Sequence, residues 1–226
     1  MPLDLVRVKA ICFDVDGTLS DTDDAYVARL NHSLRMARFL FRHGDPARFS
    51  RWLVMATESP LNGLYHWLDH LSLDDEAARL FSKVAQRNKG RKKAFLLMKD
   101  AQPLLDALEN KYPLAVVSAR DEATTMNFLD QFTLGKLFKA VVTSQTCEFT
   151  KPFPDPVIYA AEKMGVTATD CVMIGDTTVD ILAGKNAGAQ TVGLLCGFGT
   201  ETELRKAGAD LIVRDLAELN DVFFNS

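Results

Sequence analysis

In the stretch Phe13-Asp14-Val15-Asp16-Gly17-Thr18-Leu19, two carboxylates stand two residues apart where an apolar run meets a glycine. Side chains alternate faces along a strand, so Asp14 and Asp16 project to the same side as the chain leaves it. Two carboxylates so close repel unless one is protonated or a cation holds them. The pair is therefore suited to proton chemistry or to cation binding. Asp before Gly is also ordinary turn chemistry, and an Asp at the start of a helix is often only a cap. A third acid brought to the same place would decide between these readings.

That acid stands in "VMIGDTTVD", where Asp176 follows an apolar run and Asp180 comes four residues later. With a helix beginning near Thr177 or Thr178, Asp176 lies at its start and Asp180 faces the same way one turn on. Asp176 alone reads equally well as a cap. Two further polar groups fall at the ends of apolar runs. "LAVVSAR" closes on Ser118, whose hydroxyl and following N–H groups can hold anionic oxygens, and "TKPFPDP" sets Lys151 among prolines.

The elements that must position these groups are short apolar runs: Val8 to Phe13, Leu114 to Ser118, Ala140 to Thr143, Cys171 to Ile174 and Thr191 to Leu195, with Leu211 to Val213 as a sixth at the edge. Helical patterns separate the later ones, among them "DEATTMNFLDQF", "DPVIYAAEKMG" and "TVDILAGKNAG", the last two closing on glycines. Strands alternating with helices predict an α/β fold, a Rossmann-like parallel sheet with right-handed crossovers. Ligands in such sheets bind beyond the carboxyl ends of the strands, where Asp14, Ser118, Lys151 and Asp176 all fall.

About 100 residues separate the first run from the second, far more than one crossover helix requires. From Ser20 to Ala94 the apolar spacing is helical, which predicts an all-helical cap domain over 20–94 inserted into a catalytic core of 1–19 and 95–226. Within 20–94 there are 13 Lys and Arg against 9 Asp and Glu, whereas the chain as a whole carries −4. A basic insert over an acidic core suits an anionic substrate accompanied by a cation.

The remaining composition excludes several classes. A chain of 226 residues with 47% hydrophobic and 25% charged residues reads as an ordinary globular protein. The acidic balance argues against a general nucleic-acid binder. No apolar run approaches the roughly 20 residues needed to cross a bilayer, and neither a signal peptide nor a cysteine framework is visible, so the sequence predicts a cytoplasmic protein without a membrane partner. Cys12, Cys147, Cys171 and Cys196 show no metal-binding spacing.

Taken together, "DVDGTL", the Ser118 of "VVSAR", the Lys151 of "KPFPDP" and "GDTTVD" running into "ILAGKNAGAQTVGL" closely resemble the four motifs of the haloacid dehalogenase superfamily, in the branch of phosphoglycolate phosphatase-like and β-phosphoglucomutase-like proteins with a helical cap. The resemblance spans the sheet domain. The cap matches only in position, length and helical character. By this resemblance Asp14 is the nucleophile that forms an aspartyl-phosphate, and Asp16 is the general acid and base. Mg²⁺ is held by Asp14, Asp176 and the backbone carbonyl of Asp16, with Asp180 in support. Gly17, Thr18, Ser118, Ala119 and Lys151 surround the phosphoryl group. The implied activity is hydrolysis of a small phosphorylated metabolite, and a phosphomutase or a non-catalytic binding protein are the alternatives. A dehalogenase or a phosphonatase is disfavoured because those relatives lack an acid at the position of Asp16. Arg29, His32, Arg35 and Arg38 on the first cap helix are candidate specificity residues. The chain departs from the pattern at Ala119-Arg120, where relatives often carry Asn after the Ser or Thr, and at "MKDAQPLL", which lacks their Pro-Gly.

Overall fold

Residues 3–21 and 95–225 are described by the structure, a computed structural model of the chain. In chain order they form β1 (Ala10–Phe13), α1 (Ala101–Leu108), β2 (Leu114–Val117), α2 (Glu122–Gln131), β3 (Phe138–Val142), α3 (Asp155–Met164), β4 (Cys171–Gly175), α4 (Thr178–Asn186), β5 (Gln190–Leu194), α5 (Glu201–Ala207), β6 (Leu211–Val213) and α6 (Leu216–Phe224). The six strands pair in parallel in the order β3-β2-β1-β4-β5-β6. Progress along the sheet reverses between β1 and β4, so their carboxyl ends flank the switch point, where open sheets of this kind bind ligands.

The two faces of the sheet differ in side-chain size, and this fixes what packs on each. Ile11, Phe13, Leu114, Val116, Val172 and Ile174 fill one face and meet Leu104, Leu105 and Leu108 of α1, Phe128 and Leu129 of α2, and Leu216, Leu219 and Phe223 of α6. The alternate residues Ala10, Cys12, Ala115, Cys171 and Met173 face Val157, Ala160 and Ala161 of α3 and Ala183 of α4. Small residues on both sides of this second interface let helix and sheet approach closely. Gly184 shows how closely, since a Cβ there would lie 2.6 Å from Thr191 Cγ2.

Strand bounds move by one or two residues from those expected. β1 begins at Ala10 because Val8 donates back to Leu5 O within a turn. β3 begins at Phe138 because a register shift between Leu114 and Ala115 lets Phe138 pair opposite Leu114. Helices α1, α5 and α6 extend the alternation beyond the segments singled out in the sequence.

Leu19 and the first two residues of the predicted insert, Ser20 and Asp21, run beside the stretch that follows it. Ser20 and Leu97 form an antiparallel bridge, Asp21 N donates to Leu96 O at 2.9 Å, and Met98 N donates to Leu19 O at 2.8 Å. Arg29, His32, Arg35 and Arg38 lie outside the described residues.

Candidate active site

Asp14 follows β1 directly, its backbone N–H still donating to Ile174 O of β4 at 2.9 Å. The next residues tighten into a turn in which Leu19 N and Ser20 N both donate to Val15 O, and Gly17 takes φ +71°. A side chain at Gly17 would be strained by that φ and would overlap the Asp176 carboxylate. The glycine of the opening motif therefore lets the first loop close on the acid that follows β4.

Three carboxylates converge there. Asp14, Asp176 and Asp180 are buried, and one oxygen from each lies within 4.8 Å of the others. Asp180 stands at the third position of α4, where its Oδ2 accepts from Thr177 N at 3.0 Å and from the Thr177 hydroxyl at 2.6 Å. Thr177 and Asp180 thus form a capping box, which leaves Asp176 outside the cap. The Asp176 carboxylate accepts instead from Phe198 N at 2.7 Å and from the Thr18 hydroxyl at 3.3 Å.

Lys151 completes the cluster. Its buried ammonium donates to Asp14 Oδ1 and Asp180 Oδ1, each at 2.6 Å. Burial alone would lower the Lys151 pKa, but Asp14 and then Asp180 outweigh it and hold the ammonium above its ordinary value. Burial pushes the Asp14 carboxyl up to about 7, Asp180 and Asp16 act in the same direction, and Lys151 opposes them. Three buried carboxylates against one ammonium leave an excess of negative charge that a divalent cation on the acid triad would balance. An all-oxygen donor set of this kind fits a hard cation.

Asp16 lies outside that cluster. Both of its oxygens accept from the Arg120 guanidinium, Oδ2 from Nε and Oδ1 from Nη2, and both side chains are largely buried. Ser118 follows β2 directly, with its N–H on Val142 O at 2.8 Å and its hydroxyl oxygen accepting from Arg120 N at 3.1 Å. The start of α2 is capped by Asp121, whose carboxylate accepts from Thr124 N at 2.9 Å. Thr18 directs its hydroxyl to Asp176 and its N–H to Val15 O.

Asp14, Asp16, Gly17, Thr18, Ser118, Ala119, Lys151, Asp176 and Asp180 are thus gathered at the carboxyl edge of β1, β2 and β4. Sequence reasoning assigns nothing to Phe198, whose contribution is a backbone N–H, or to Gly197, whose missing side chain leaves room for the Asp176 carboxylate. The signal available for both is their place in "CGFGT", just beyond the end of β5.

A parallel sheet with an acid triad and a lysine at its switch point defines a class, and the comparisons agree on which. The haloacid dehalogenase-like hydrolase family matches residues 11–194, and the chain belongs to it. The pyrophosphatase PpaX of Bacillus velezensis is 30% identical over 216 residues, covering 94% of this chain and 95% of that protein. The phosphoglycolate phosphatase of Escherichia coli is 25% identical over 231 residues, covering 94% and 91%. Among solved structures, a hydrolase from Pseudomonas syringae superposes with a TM-score of 0.71 at 28% identity, covering 95% of this chain and 99% of that one.

Proposed function

We propose that this hydrolase is a Mg²⁺-dependent phosphatase that transfers a phosphoryl group from a small anionic substrate to Asp14 and then to water. The observation that carries the reading is the separation of the opening pair. Asp14 sits beside an ammonium in a buried acid triad, while Asp16 is held on Arg120 outside it. Two carboxylates in two environments take two roles.

In this reading an Asp14 oxygen attacks phosphorus, and the leaving oxygen departs with a proton from Asp16. Asp16, now a carboxylate, removes a proton from the water that cleaves the aspartyl-phosphate. A carboxylate and a phosphate dianion repel, so donors must neutralise the oxygens between them. In this reading Lys151, held against Asp14, and the Ser118 hydroxyl, just beyond β2, do that work. Asp14, Asp176 and the backbone carbonyl of Asp16 would hold Mg²⁺, with Asp180 supporting them, and the ion would supply charge neutralisation at the transferring oxygens.

The predicted division of the chain supports a lid over this edge. Residues 19–21 and 96–98 run side by side, so an inserted domain over 20–94 leaves and rejoins the core at one point. The basic balance of 20–94 supports a substrate whose leaving part carries its own negative charge, and the named activities of the two relatives, a pyrophosphatase and a phosphoglycolate phosphatase, agree with that class.

The test is a panel of pyrophosphate, phosphoglycolate, sugar phosphates, nucleotides and 4-nitrophenyl phosphate, assayed with Mg²⁺ and after exhaustive chelation. Pyrophosphate or phosphoglycolate should lead the panel, and chelation should abolish turnover. Preference for neutral sugar esters, return of the phosphoryl group to a sugar, or full activity without a cation would overturn the reading.

A further inference from the structure

We propose that Arg120 is the positioning residue for Asp16, a buried guanidinium that fixes the carboxylate in the orientation from which it serves the leaving oxygen. The proposal rests on the acid–base role given to Asp16 above. Its basis is how completely Arg120 is itself held. The guanidinium carbon lies 5.1 Å from the Phe95 ring centroid and 5.8 Å from that of Phe128, and the two rings meet edge to face at 5.7 Å. The Arg120 backbone is anchored at both ends, its N–H on Ser118 Oγ at 3.1 Å and its carbonyl accepting from Ser144 N at 2.9 Å.

A guanidinium held within cation–π distance of two aromatic rings has little rotational freedom left to lose, so its fork can fix a carboxylate that a mobile lysine could not. The fork uses one lone pair on each Asp16 oxygen and leaves the other free to carry or accept a proton. Arg120 Nη1 is buried without a hydrogen-bond partner among the described residues. A buried donor left unpaired is a cost that apolar packing would avoid, so stability alone does not account for an arginine here.

Phe95 carries the hold further. The Gln131 side chain clasps its backbone, accepting from Phe95 N at 3.2 Å and donating to Phe95 O at 2.8 Å. Phe95 lies two residues before Leu97, the bridge partner of Ser20. Asp16, Arg120 and Phe95 therefore form one packed line from the opening loop to the stretch that rejoins the core after 20–94.

The experiment compares the full chain with Arg120→Met, Arg120→Lys, Phe95→Leu, Asp16→Asn and the Asp16→Asn/Arg120→Met double variant, on phenyl phosphate and 4-nitrophenyl phosphate. Phenolate departs poorly without a proton and nitrophenolate departs well. Arg120→Met should lower kcat on phenyl phosphate by up to about 10²-fold, the scale of an ångström-sized misplacement, with KM little changed and with a smaller loss on 4-nitrophenyl phosphate. Arg120→Lys should recover only part, because a point charge cannot make the fork. In the Asp16→Asn background Arg120→Met should add no further loss. Phe95→Leu, which keeps the arginine and an apolar core, should show the same leaving-group pattern more weakly. Equal losses on both esters, losses that multiply in the double variant, or a Phe95→Leu enzyme without leaving-group dependence would overturn the proposal. If Asp16→Asn alone leaves both rates intact, it is the acid–base role of Asp16 that fails.

Discussion

Replacing Lys151 with Met keeps most of the buried stem and removes the charge that two carboxylates share. Lys151 is 7% exposed, and its ammonium is 2.6 Å from both Asp14 and Asp180. Breaking a buried ion pair from one side costs about 3–5 kcal/mol, because the partner charge stays buried without compensation. Here Asp14 and Asp180 both lose their cation, and among the described residues only the N–H and hydroxyl of Thr177 still donate to Asp180. The Lys151→Met protein, freed of metal and unfolded in urea at pH 8, should therefore lose about 3–5 kcal/mol relative to the parent chain. Adding Mg²⁺ should narrow the gap, since a cation on the acid triad takes over part of the compensation. The surface pair Lys185–Asp210, whose lysine side chain is 39% exposed, supplies the control, and Lys185→Met should cost about 1 kcal/mol or less. A loss below about 1 kcal/mol for Lys151→Met in metal-free protein, or one that Mg²⁺ leaves unchanged, would refute the view that Lys151 neutralises the cluster.

Other expectations follow from single contacts. Asp16→Asn should slow turnover of phenyl phosphate by about 10²- to 10⁴-fold, the range for a positioned proton donor, and slow 4-nitrophenyl phosphate less; steady-state kinetics on the two esters checks this. Burial works against ionisation of Asp210, but the Lys185 ammonium, then Thr191 N–H, outweigh it and hold its carboxyl below the ordinary 3.8. A depressed carboxyl contributes stability that is present above its unfolded pKa and lost as pH falls through the folded one. Asp210→Asn should therefore cost about 1–2 kcal/mol at neutral pH, a gap that closes on the acid side of about pH 4, as read by urea unfolding across pH.

Much of this site is legible in the sequence because Asp14, Ser118 and Asp176 each fall where a short apolar run stops, with Asp180 one helical turn beyond the last. Parallel strands buried on both faces are near-continuous in apolar residues, so their ends stand out, and Asp14, Ser118 and Asp176 mark three of them. What remains hidden has physical causes. Arg120 meets Asp16 across 104 residues of sequence, and no local pattern encodes that pairing. Phe198 acts through a backbone N–H, which every residue but proline possesses. The role of Asp176 was open from sequence, since alone it reads as a cap; the structure gives the cap to Thr177 with Asp180, while Thr18 and Phe198 claim Asp176 from other loops. Strand bounds shifted at β3 because register with β2 belongs to the pair of strands and not to either alone.

The claim at the centre of the account is that Asp14 carries the phosphoryl group. It is tested most directly by quenching the enzyme in acid during turnover, reducing with borohydride, which converts an acyl phosphate to an alcohol, and mapping the product by peptide mass spectrometry. The account predicts homoserine at position 14 and nowhere else, formed only when substrate and Mg²⁺ are both present. Reduction at Asp16, Asp176 or Asp180, a phosphorylated residue of another type, or turnover with no trapped intermediate at any time point would contradict it.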